Sequence, residues 1–216
     1  MTFDFNRLDD LDEVEGALDE YQDELLKLFA GSPEGQARAQ ADPDMGFWVL
    51  RLIEYGYNFT GVTPPQMDAS DVEELLSDVF PRKISLAAPE QADDAIPELI
   101  AFWEYLKREH RLANADSILR YLRSLRPEAF RGWMNDPSRF GMAKSFFMMG
   151  QAAGFDMTDA KESAAFINQY NASLPLPGSS DPSLTWEPGS HRKKDAAKAK
   201  HRRKLAKASR KRNRKR

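Results

Sequence analysis

Basic and acidic side chains are segregated along this chain, and the segregation limits where it can build a core. Residues 191–216 carry 15 Lys and Arg against one acid, Asp195, a formal charge of +14 with His neutral. The other 190 residues hold 16 basic and 33 acidic side chains, a charge of −17. The whole-chain value of −3 conceals both figures. Leu205 is the only large apolar residue in the basic stretch, which therefore has nothing to bury and is expected to be disordered when free. Folding must be carried by the residues before it.

Those residues read as helix almost throughout. Leu8, Leu11, Val14, Leu18, Tyr21, Leu25 and Leu28 recur every three or four positions, the spacing of one helical face. Asp9, Asp10, Asp12, Glu13, Glu15, Asp19, Glu20, Asp23 and Glu24 fill the other side, the pattern of a solvated face. Gly31 ends this helix, and Ser32-Pro33 supplies an N-cap and a first-turn proline for the next. Asp42-Pro43 repeats that pattern ahead of Phe47 to Tyr57, whose apolar groups on all sides predict the central buried helix.

Ser70 and Glu73 are spaced as a capping box before Val72, Leu75, Leu76, Val79 and Phe80. Pro81 is expected to stop that helix. An extended connector over residues 83–86 follows, then a helix from Pro97 to His110. Asn114 is placed to cap the next, which carries Ile118, Leu119, Leu122 and Leu125. A short helix spans Pro127 to Met134. Asp136-Pro137 opens a longer one through Met149, closed by Gly154, and Thr158 caps the last. No strand alternation and no fixed-period repeat interrupts the pattern.

The sequence thus predicts an all-α fold in three parts. Residues 1–173 form a compact acidic helical domain. Residues 174–190, with four Pro and two Gly, form a linker spanning roughly 23 Å as a coil, with Trp186 placed to pin it to the body. Residues 191–216 form a disordered or conditionally helical basic tail, since its alanines favour helix and its charge repulsion opposes it.

Composition removes several function classes. There is no Cys, so disulfides, zinc-thiolate sites and Cys nucleophiles are excluded. Two of the three histidines, His191 and His201, fall in the tail. A His-based metal site or a Ser-His-Asp triad would rest on His110 alone, which more simply meets the dipole of a helix C-terminus. No Gly-rich phosphate loop is present. No basic n-region and apolar h-region opens the sequence, and the run from Gly46 to Phe59 is too short to span a bilayer. The expectation is a cytoplasmic protein without enzymatic activity, metal or cofactor, and without a membrane partner.

Dense cations imply a polyanion. The candidate nucleic-acid contacts are Lys193, Lys194, Lys198, Lys200, Arg202, Arg203, Lys204, Lys207, Arg210, Lys211, Arg212, Arg214, Lys215 and Arg216. No aromatic residue interrupts them, so they offer charge to the backbone rather than a stacking platform for bases. RNA is favoured over DNA, because Arg- and Lys-rich arms fold on contact with structured RNA. The expected role is an accessory protein that holds RNA at a ribosome or polymerase with little sequence preference.

A second feature is the Met- and Phe-rich segment from Phe140 to Gly150. Met142, Phe146 and Met149 could line a groove for a protein partner, since Met suits adaptable surfaces. In that alternative the protein is a helical adaptor and the tail serves targeting or solubility. The same spacing also serves ordinary core packing, and the sequence favours that for this segment.

Three stretches carry a resemblance: Pro81-Arg82-Lys83-Ile84-Ser85, Ile96 to Lys107, and Met134-Asn135-Asp136-Pro137 to Gly154-Phe155. Together they resemble an uncharacterised family of photosynthetic bacteria whose members also end in a Lys/Arg-rich tail, over about residues 70–216. The resemblance implies a helical body and a cytoplasmic location. It brings no activity, cofactor or catalytic residue.

Overall fold

The computed structural model describes residues 3–5, 8, 15–86 and 88–173. The linker, the basic segment and Asp9, Asp10, Asp12 and Glu13, expected in the first helix, lie outside the described residues. Every regular element among the described residues is helical, as the periodicity requires. None of these helices is long and apolar enough to cross a membrane.

The first helix, α1 (Glu15–Ala30), turns its acidic side to solvent and buries Leu18, Tyr21 and Leu25. Its inward stripe ends on Phe29, with Leu28 left 38% exposed. The 3.6-residue period drifts past the strict three-four spacing over three turns, so Phe29 replaces Leu28. Ser32 caps α2 (Pro33–Ala41) by accepting from the Gly35 N–H at 3.1 Å. A Cβ on Gly35 would lie 2.0 Å from the Phe29 carbonyl oxygen. Only glycine lets α2 pack that closely on the end of α1.

The third helix, α3 (Phe47–Tyr55), does not begin at Asp42-Pro43. Asp42 closes α2, and α3 starts after Gly46, whose φ of 117° suits glycine. Trp48, Val49, Leu52 and Ile53 are buried, but Phe47 stays 40% exposed and Arg51 pairs with Glu54 on the outer edge. The centre is therefore shared with α6 (Ala95–His110), which buries Ile96, Leu99, Phe102, Trp103, Tyr105 and Leu106. Helix α6 packs against α2, α3 and α7 (Ala115–Ser124).

Between α3 and α6 the chain departs twice from the expected boundaries. Asp68 rather than Ser70 caps α4 (Ala69–Glu74): its Oδ1 accepts from the Ser70 and Asp71 N–H groups, and Asp71 bonds back to the Asp68 N–H. Pro81 does not end the helix. α4 continues through a π-helical turn, Leu75–Val79, into α5 (Phe80–Lys83). In that wide turn the Phe80 N–H donates to Leu75 O, five residues back. The register change relieves the crowding that a proline ring imposes on a regular helix. Asn114 stands at the start of α7 as expected, but not as its cap. Its side-chain amide donates to Pro64 O at 2.8 Å and Met67 O at 2.6 Å.

Three helices follow: α8 (Pro127–Asn135), α9 (Met142–Ala152) and α10 (Ala160–Ser173). Asp136-Pro137 opens a single 3₁₀ turn, and α9 begins only at Met142. Gly154, at φ 89°, closes α9. Asp159 rather than Thr158 takes the N–H groups at the start of α10.

One acid organises the centre. Glu98 on α6 is 1% exposed, and its Oε1 accepts from the Val49 N–H at 2.8 Å. It thereby supplies from another helix the cap that α3 lacks in its own sequence. Burial pushes its carboxyl above the usual 4.5, against the pull of those backbone N–H groups. The folded protein thus holds this proton more tightly than the unfolded chain, and stability falls as pH rises above 4.5. Glu98→Gln keeps an acceptor for Val49 and should abolish this decline in urea unfolding, whereas Glu98→Ala should cost about 2 kcal/mol near pH 4 and less as pH rises, since it removes the same titrating group.

Candidate interaction surfaces

The 14 basic side chains from Lys193 to Arg216 fall outside the described residues, so the geometry bears on the other candidate surfaces. Met142, Phe146 and Met149 lie on one stripe of α9, at i, i+4 and i+7. The structure splits them. Phe146 is half-buried, its ring 4.9 Å from Phe166 and 5.3 Å from Tyr170 on α10. Met142 and Met149 stay 57% and 47% exposed. Helix α10 occupies the middle of the groove expected from sequence and leaves its two ends open. Met148 and Ile167 are exposed beside them. The segment is accordingly neither an empty groove nor ordinary core.

The attachment of this hairpin explains the difference. Among the described residues, none beyond Met134 belongs to the main apolar core. Phe166, the one buried side chain of α10, packs in a small separate cluster with Phe146, Phe155 and Tyr170. What joins α9 to the body is polar. The Gly141 N–H donates to Arg82 O at 3.0 Å, so close that a Cβ at Gly141 would lie 2.6 Å from that oxygen.

Lys144 makes the second attachment. It is 5% exposed, and its ammonium donates to Pro81 O at 3.1 Å and Met134 O at 2.9 Å. The Phe140 ring centre lies 4.0 Å from Nζ, a cation–π contact. Burial pulls the amine down to about 8, while the carbonyls and the ring favour its charged form. The sequence shows Lys144 only as the one charge in an apolar run. Its acceptors come from α5 and α8, and no local pattern announces them.

His110 ends α6 as expected. Its Nε2 lies 3.0 Å from Tyr105 Oη, with the Phe5 ring edge-on at 4.9 Å. Burial lowers its basicity. The surroundings are those of a packed residue rather than a ligand. Among the described residues no group of three His, Asp or Glu is arranged to hold a metal ion.

A concave feature lies on α7, an open depression of about 540 Å³ lined by Asp116, Arg120, Arg123 and Ser124. Two ion pairs flank it and fix α7 against α6: Lys107 to Asp116 at 2.6 Å and Arg123 to Glu104 at 2.6 Å. These arginines do not stand out in the sequence, because the net charge of the body masks a local excess of cations.

No protein-family model, curated protein or solved structure matches the chain.

The Lys144 attachment has a measurable signature. Lys144→Met strands the Pro81 and Met134 carbonyls and should destabilise the fold by about 2 kcal/mol in urea, with faster amide exchange concentrated in α9 and α10. Because the folded-state value sits near 8 and the unfolded one near 10.5, the unfolded chain binds more protons in that window. Wild-type stability should therefore gain across it as pH rises, relative to the variant.

Proposed function

We propose that the protein is a non-enzymatic, cytoplasmic accessory protein that holds RNA through residues 191–216 while its helical body meets a protein, at a ribosome or a polymerase. The observation that carries the reading is the charge partition, +14 in 26 residues against −17 in the rest. Such a density of Lys and Arg displaces counterions from phosphates, a gain that does not depend on base sequence. The acidic body repels the same polyanion, which confines contact to cationic surfaces. The absence of aromatic residues between His191 and Arg216 removes base stacking and leaves backbone contact.

One observation favours a second reading, a helical adaptor. Met142, Met148 and Met149 on α9 and Ile167 on α10 are each exposed, and residues 141–155 carry no charge apart from the buried Lys144. Uncharged, Met- and Phe-rich surface is the composition of interface centres. In this version residues 191–216 serve targeting or solubility.

Filter binding of an unstructured RNA to the full chain and to a chain ending at Ser173 separates the two. The full chain should lose affinity steeply with salt, with a log–log slope near −5 for about seven single-strand phosphate contacts. The chain ending at Ser173 should bind far more weakly at moderate salt. Equal affinity for both chains ends the RNA reading of the basic segment.

A further inference from the structure

We infer that the outer edge of α7, with the turns that join it to α6 and α8, is a second phosphate-binding surface that engages the same nucleic acid as the basic segment. The inference rests on the nucleic-acid reading above and adds a surface on the folded body.

The cations of the body are not evenly spread. Residues 107–131 hold seven of its 16 Lys and Arg against three acids, a local charge of +4. The rest of residues 1–190 then carries −21. A cationic island on so acidic a body is a place where a polyanion can approach without repulsion.

The fold turns this island outward. Ala115, Ile118, Leu119 and Leu122 form the buried side of α7, so Arg120 and Arg123 are directed to solvent. Four of the seven cations are held in ion pairs: Lys107 with Asp116, Arg123 with Glu104, Arg108 with Glu34 and Glu109, and Arg131 with Asp93. Arg111, Arg120 and Arg126 remain. All three are exposed, and none has an ion-pair partner among the described residues. Arg120 lines the depression of about 540 Å³ beside Arg123, Ser124 and Asp116, whose carboxylate is engaged by Lys107, a concave seat in which a guanidinium can present its paired N–H donors to a phosphate.

Arg111 adds a separate observation. It closes α6 in the left-handed conformation, with φ 51°. Glycine is the usual residue there because a Cβ is disfavoured. A long cation at that position keeps a backbone cost that glycine would remove, and places a third charge at the α6–α7 turn. These three exposed arginines have no ion-pair partner among the described residues, and a phosphodiester chain running along α7 would neutralise all three.

The occupant is taken as nucleic acid rather than an acidic protein, because residues 191–216 of the same chain already offer the density of charge that a polyphosphate matches.

The test is the full chain carrying Arg111→Gln, Arg120→Gln and Arg126→Gln, titrated with an unstructured RNA oligonucleotide across salt concentrations. A second titration uses polyglutamate, and the chain ending at Ser173 is run in parallel. Loss of three single-strand contacts should flatten the log–log salt slope by about two, with affinity at about 0.1 M salt falling tenfold or more. The unfolding midpoint should not move, since none of the three side chains is buried or paired. An unchanged slope and affinity in the triple variant, with weak binding by the chain ending at Ser173, overturns the α7 surface and leaves the basic segment as the RNA contact. Equal RNA binding by the full chain and the chain ending at Ser173 overturns the basic-segment reading instead. Wild-type binding of polyglutamate that the triple variant loses, with RNA binding intact, assigns the surface to an acidic protein and also overturns the proposal.

Discussion

The contact between the Glu98 carboxylate and the start of α3 holds two helices in register that sequence places far apart. A capping residue normally comes from the stretch of chain just before its helix, but Gly46 has no side chain to offer. With the acid supplied by α6, the rotation and depth of α3 are set by a hydrogen bond to Val49 rather than by apolar contact alone. That placement brings Trp48 to 5.9 Å from Phe80 and 5.4 Å from Phe130. One ring on α3 thus joins α5 and α8. Apolar burial supplies most of the stabilisation, at about 25 cal/mol per Å² removed from water. The polar bond selects which packing that burial adopts.

Much of this architecture was legible because helices write their inward face into the sequence at 3.6-residue spacing. Leu75, Leu76, Val79 and Phe80 are buried as that spacing requires, and so are Ile118, Leu119 and Leu122. Helix starts were less legible where several acids and hydroxyls compete. Asp68 displaces Ser70 as the cap of α4 because its carboxylate reaches two N–H groups and the Ser70 hydroxyl at once. Pro81 misled for a different reason: the obstacle it creates is met by a change in backbone pitch upstream, and that change has no residue signature.

The candidate surfaces divide along the same line. Charge is a property of composition, so the basic segment stands out from its residue types alone. The cations of residues 107–131 are diluted by the acids around them, and only the fold separates those consumed in ion pairs from Arg111, Arg120 and Arg126. Lys144 was the least legible. A lysine in a Met- and Phe-rich helix reads as solvent-facing, and its burial depends on carbonyls 10 and 63 residues away in the chain. Helical spacing alone puts Met142, Phe146 and Met149 on one stripe. What occupies its middle follows from how α10 folds back.

The polar attachment of α9 has a thermodynamic corollary. Undocking a helix held by apolar contact exposes oily surface, which raises the heat capacity and responds strongly to urea. The hairpin of α9 and α10 is held to the body chiefly through carbonyls, one amine and one glycine amide. Its release would expose little such surface, so the undocked state would differ from the docked one by a small heat capacity and a shallow dependence on denaturant. A lobe of that kind lifts off as readily in plain buffer as under mild denaturing stress, a behaviour ordinarily associated with local fluctuation rather than with unfolding.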